Sequence, residues 1–196
     1  MTKNRLEAFS DGVVAIIITI MVLEMHAPHE TTFDALLPLL PIFLGYVLSF
    51  IYVGIYWSNH HHLMHLVQKV NGPILWANTH LLFWLSMIPF TTSWMGEHVF
   101  AMAPTILYGA NLFLCGLAYT ILVRTLLHYH GHGSKLSVII GKDVKGWASI
   151  AIYTVAIIAS LWLPIISYAL YVVVAIMWLL PSRRIEKLSE AESSKH

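Results

Sequence analysis

From Trp147 to Leu180 the chain runs for 34 residues without one charged side chain. As a single α-helix, at ~1.5 Å per residue, that run would be about 50 Å long. The hydrocarbon core of a bilayer is only ~30 Å thick, so one crossing would need extreme tilt. Pro164 stands near the middle of the run, where a missing N–H and a ring clash disfavour a continuous helix. The run is therefore read as two short membrane spans joined by a turn near Pro164.

Four more apolar runs precede it: about Arg5 to Met25, Phe33 to His60, Asn71 to Trp94 and Pro104 to Leu127. Of all residues, 58% are hydrophobic and 11% charged, against about 25% charged in a soluble domain. The reading is an all-α integral membrane protein of six transmembrane helices, one domain over residues 1–180, with a charged tail over 181–196. Charge supports six spans over five. With six, Lys3, Arg5, Lys69, Lys135, Lys142, Lys145, Arg183, Arg184, Lys187 and Lys195 share one side, and Arg124 lies near it. The opposite loops then hold only Glu24, Glu30, Asp34 and Glu97. Basic residues gather on the cytoplasmic side, so both termini and the tail are expected in the cytoplasm. One kinked helix in place of the last two would put Arg183 and Arg184 outside. Trp57, Trp76, Trp94, Trp147 and Trp162 fall near span ends, where indoles anchor at the interface.

Several function classes lose support here. A formal net charge of +1 gives no basic surplus for nucleic acid. The single cysteine, Cys115, sits in an apolar run and is read as a small buried hydrophobe. A cleaved signal peptide is disfavoured by Asp11 at the entrance of the first apolar stretch and by "LEMHAPHE", which lacks a small-x-small site. No phosphate loop, G-x-S-x-G, H-E-x-x-H or C-x-x-C is present, and "GHGSK" at 131–135 lacks the phosphate-loop spacing. No enzymatic chemistry is expected. The chain holds 12 histidines. His60, His61, His62 and His65 cluster at the inner end of span two, and His128, His130 and His132 lie on the same side. The i, i+4 pair His61 and His65 shares a helix face and could hold Zn²⁺, but a partly protonated interfacial cluster explains the set as well, and no metal site is assigned. Haem between helices needs two deep histidines; only His80 is clearly deep, so no cofactor is expected.

The first span carries Arg5, Glu7 and Asp11 at its start and Glu24 near its end, leaving 12 uncharged residues between the last two. A carboxylate in a membrane helix costs about 2.5–3.5 kcal/mol on insertion scales, so Asp11 must face protein or water. The greasier spans five and six suit lipid, and the first helix is expected inside. At ~100° per residue, Ile16, Thr19, Ile20 and Leu23 form one stripe, continued by Gly12 and Val13. Ser10 and Asp11 point away from it on either side, toward polar candidates Trp57, His60, Asn78 and His80. By periodicity alone the stripe is also ordinary helix packing.

"RLEAFSDGVVAIIITI" resembles the R-x-x-x-F-S-D signature of the lysosomal potassium channel family, transmembrane protein 175, and its bacterial relatives. Arg5, Phe9, Ser10 and Asp11 carry the match. "WSNHHHL" and "LWANTHLLFWLSMIPFTT" are similar to the family's second and third helices, with Trp57, His60, Asn78, His80 and the segment Pro89 to Thr92. The specific resemblance covers about residues 5–95. Animal members carry two six-helix repeats; one repeat is similar to the bacterial branch, which assembles as tetramers. The resemblance implies a homotetrameric, potassium-preferring cation channel in a bacterial inner (plasma) membrane, with the first helices lining a central pore. It implies a constriction at Ile16, potassium preference at Thr19 and outer apolar rings at Ile20 and Leu23. It also implies that Arg5, Phe9, Ser10 and Asp11, with Trp57, His60, Asn78 and His80, anchor that helix. Glu24 fits either a cation-gathering outer mouth or a solvated helix end. The potassium filter run T-V-G-Y-G is absent, so a hydrophobic constriction would act by width and wetting. Competing readings are a secondary transporter, a membrane haem or metal protein built on the histidines, and a structural scaffold. Broken helices and inverted repeats mark transporters, and the sequence shows neither.

Overall fold

A computed structural model describes residues 2–131 and 144–180. His132, Lys135, Lys142 and the tail 181–196, with Arg183, Arg184, Lys187 and Lys195, lie outside the described residues. The described residues form helices joined by loops, with no strand among them. Helix α1 spans Lys3–Leu23. A 3₁₀ segment, Phe33–Leu39, runs directly into α2, Leu40–Leu66. Then follow α3 (Gly72–Ser86), α4 (Ile88–Glu97), α5 (Met102–His130), α6 (Val144–Ala159) and α7 (Pro164–Leu179).

Local chemistry sets the boundaries. Asn71 caps α3 by accepting the Ile74 N–H at 3.1 Å, satisfying one of the orphan donors of a helix start. The long uncharged run breaks where expected: residues 160–163 turn, and Pro164 opens α7, where its missing N–H costs nothing. Inside the turn, the Ser160 and Ser167 hydroxyls meet at 2.8 Å, and both lie within bonding distance of the Ala156 carbonyl.

Span three departs from the sequence reading. It divides at Met87 into α3 and α4, because Pro89 in the first turn of α4 has no N–H to continue the ladder. The break takes the Ile88 N–H off its helical partner, the Trp84 carbonyl, which instead accepts the Met87 N–H at 3.2 Å. Asn111 of α5 bridges them. With its amide oriented to satisfy both, its oxygen accepts from Ile88 N at 3.3 Å and its nitrogen donates to Trp84 O at 3.1 Å. A side chain inserted into the helical ladder accounts for the kink.

Two apolar clusters organise the bundle. One joins α1, α2, α3 and α5 around Leu6, Val14, Ile17, Met21, Leu63 and Ile74. The other joins α2, α4, α5, α6 and α7 around Tyr52, Tyr108, Tyr153 and Tyr171. Tyr171 packs so tightly over Gly109 that a methyl group there would collide with its ring, and its hydroxyl donates to the Thr105 carbonyl at 2.9 Å. Helix α1 packs against α2, α3 and α4, and α6 and α7 close the opposite flank. The sequence places α1 inside, yet in a single chain α5 is the enclosed helix: half of its most apolar window is buried, against 28% for α1.

Cross-contacts fix which ends lie together. Asp11 meets Trp57, Arg124 lies 5.5 Å over the Trp147 ring, and Lys145 Nζ donates to the Met177 and Leu180 carbonyls at 3.0 and 2.8 Å. The described cations Lys3, Arg5, Lys69, Arg124 and Lys145 thus gather at one end of the bundle, here termed the basic end. Glu24 and Glu97 belong to the other end.

Candidate ion pathway

Helix α1 has two unlike faces. Leu6, Ser10, Val14, Ile17 and Met21 recur every three or four residues and are buried. Opposite them, Ile16 is 59% and Leu23 73% exposed, with Thr19 and Ile20 exposed beside them. Gly12 and Phe9 share that side, and so does Arg5. The expected stripe is therefore the face of α1 that its own chain leaves uncovered.

The buried face is held by a polar chain. The His60 Nε2–H donates to Asn78 Oδ1 at 2.8 Å, which fixes the proton on that ring nitrogen because the oxygen can only accept. Asn78 Nδ2 donates to Ser10 Oγ at 3.0 Å, and Ser10 Oγ–H donates to the Leu6 carbonyl at 2.8 Å. Ser10, His60 and Asn78 are all buried. Three helices are thereby tied to one register by bonds that a dry bundle cannot replace with water. Asp11 lies at the edge of this face. It is exposed within the chain, and its Oδ1 accepts the Trp57 indole N–H at 3.0 Å.

Not every predicted anchor joins this chain. His80 Nε2 accepts from the Trp84 indole at 2.9 Å, one turn along α3, and reaches neither Ser10 nor Asp11 in these bonds. Arg5 and Phe9 lie on the uncovered side of α1. Asn111 is the positioning residue that sequence reasoning missed. The only signal for it is an amide within an apolar run facing a proline-broken span.

The uncovered face has usable detail. Thr19 Oγ1 lies 2.8 Å from the Ile16 carbonyl and 3.2 Å from that of Ala15. Its proton is directed back into the helix, which leaves oxygen lone pairs outward for a cation. Beside the stripe runs an open groove of about 340 Å³, lined by Ile16, Ile20 and Glu24 of α1 and by Ser86, Pro89 and Phe90 at the α3–α4 break.

Comparison with known proteins fits these features. Residues 5–89 match the family model described as endosomal/lysosomal potassium channel TMEM175. A potassium channel of Chryseobacterium sp. (strain P1-3) is 53% identical over 187 residues, covering 95% of this chain and 97% of that protein. The chain belongs to the TMEM175 family. The crystal structure of a lysosomal potassium-selective channel TMEM175 homologue from Chamaesiphon minutus superposes with a TM-score of 0.78 at 27% identity, covering 90% of this chain and 96% of that one. The human endosomal/lysosomal proton channel TMEM175 is 30% identical over 147 residues, but the match spans only 29% of its length. Membership places this multi-pass membrane protein among ion channels and outside the enzymes. The matched stretch contains both the Ser10–Asn78–His60 chain and the stripe.

Proposed function

We propose that this TMEM175-family chain is a potassium-preferring cation channel formed by four copies around a central pore lined by α1. The observation that carries this reading is the apolar face of α1: uncovered in one chain, yet on a helix whose other face is locked by buried hydrogen bonds. One α1 cannot enclose a pore, so the face is completed by other copies. Ile16 forms the narrowest ring and Ile20 and Leu23 the outer apolar rings. Thr19 presents hydroxyl oxygens that favour potassium, and Glu24 stands at the outer mouth. Ions pass by shedding part of their water at a hydrophobic constriction. Ser10, Asp11, Trp57, His60 and Asn78 keep the lining helix in register, with Arg5, Phe9 and His80 as its further anchors across the assembly. The basic end faces the cytoplasm, which sets both termini there, in a bacterial inner membrane. The names of the bacterial relatives and the shared fold support this reading.

The test is flux from purified protein in liposomes. Potassium gradients should drive electrogenic flux with no coupled ion, and sodium gradients should drive less. Flux that requires a second ion would make the protein a transporter.

A further inference from the structure

The run His60, His61, His62 advances ~100° per residue on α2, so the three rings face three ways. His60 turns inward and is engaged by Asn78. His62 is exposed. His61 points along the helix to His65, one turn later, and their Nε2 atoms lie 3.0 Å apart. Neighbours i and i+4 on a helix commonly touch, but here the touching atoms are the two ligating nitrogens. The His61 ring also stacks on Trp57, with centroids 5.8 Å apart and planes 21° from parallel, and Trp57 is bonded to Asp11. One wall of the pair is therefore fixed before any ligand arrives.

We propose that His61 and His65 form a bidentate site for a divalent transition-metal ion of the Ni²⁺ or Cu²⁺ type. Imidazole nitrogen is a borderline ligand suited to these ions and to Zn²⁺. The 3.0 Å between the metal-free nitrogens is a hydrogen-bond length, and it shows both ligating atoms already brought to one point. Affinity among divalent ions rises through Ni²⁺ to a maximum at Cu²⁺, and two imidazoles fall short of the four protein ligands of a structural Zn²⁺ site. Water fills the remaining positions. The ring that donates from Nε2 in the metal-free pair moves that proton to Nδ1, so a neutral pair accepts the ion without losing a proton. The site lies on the outside of α2 at the basic end, and it does not depend on ion conduction.

The test is calorimetric titration of NiCl₂ into the tag-free full chain in detergent. One ion per chain should bind. His65→Ala should weaken binding by about a hundredfold, because it removes the intramolecular second ligand. His65 is exposed, so this variant should keep wild-type helical content and separate loss of a ligand from loss of the fold. His62→Ala and His128→Ala should bind Ni²⁺ like the wild type. Unchanged binding in His65→Ala overturns the site. Tighter binding of Zn²⁺ than of Ni²⁺ overturns the class of ion.

Discussion

At the scale of single residues, the two faces of α1 make opposite demands on isoleucine. Ile16 is exposed and Ile17 is 3% exposed, although they are neighbours with the same side chain. Ile16→Asn shrinks the side chain and adds groups that can replace lost water. Sodium conductance should therefore rise and the potassium-to-sodium preference fall. Ile17→Asn buries an unpartnered amide in the α1–α2–α3 cluster and should instead lower expression of assembled protein. Ile17 is a cleaner control than Ile18, which is half-buried and packs at the edge of that cluster. Thr19→Val removes the outward oxygen and should weaken potassium preference while leaving assembly intact. Reversal potentials under bi-ionic conditions measure the selectivity of all three, and the yield of assembled protein reads the effect at Ile17; a selectivity change confined to Ile17→Asn would put the pathway on the other face. The Ser10–Asn78–His60 chain makes a separate demand. Asn78→Leu strands the buried His60 N–H, at a cost of about 1–3 kcal/mol. Thermal unfolding in detergent should show the loss, and a variant as stable as the wild type would make that chain incidental.

At the scale of helices, the α3–α4 break shows where a sequence can and cannot be read. Pro164 interrupts an apolar run twice the needed length, so its effect is visible by counting residues. Pro89 interrupts a run of ordinary length, and the sequence reading passes over it. What makes that break tolerable is Asn111, from a helix more than 20 positions away, and no local pattern encodes such a partnership. Asn111→Leu should leave the Ile88 N–H unpaired, at about 1–3 kcal/mol, while Trp84 O keeps its bond from the Met87 N–H. It should also loosen the wall of the groove beside Ile16 and Ile20. Chemical protection of a cysteine placed at Phe90, compared with and without Asn111→Leu, reads this directly; equal protection would detach the kink from Asn111. The polar anchors followed the same division. Ser10, His60 and Asn78 were legible because polar groups in apolar helices must find each other. The pairing of His80 with Trp84 was not, since an equally good partner sat one turn away.

At the scale of the whole molecule, the chain is asymmetric about α5. One flank ends in α1, whose outer face is unfilled, and the other in the α6–α7 hairpin. Membrane insertion, span number and the gathering of cations at one end were legible from hydropathy and charge. The charges on α1 led the sequence reading to place it inside, but one copy leaves its Ile16 face uncovered, and its enclosure by further copies belongs to the proposed assembly. Native mass measurement in mild detergent should find four chains, and a monomer that conducts ions would remove the central pathway.

The hairpin bears on how the protein is made. The described part of α6 and the whole of α7 span 16 residues each, short of the ~20 that settle a lone helix across a bilayer. They are stapled at the turn by Ser160 and Ser167, along their length by Trp178 Nε1–H on Ser149 Oγ at 2.8 Å, and at the open end by Lys145 on the last carbonyls of α7. Helices this short are expected to enter the bilayer as a pair: a chain truncated before Pro164 should insert α6 less completely than the full chain, as glycosylation mapping of residues 132–143 would show. A chain that stalls before Pro164 would carry α1 already threaded and its far flank still outside the bilayer.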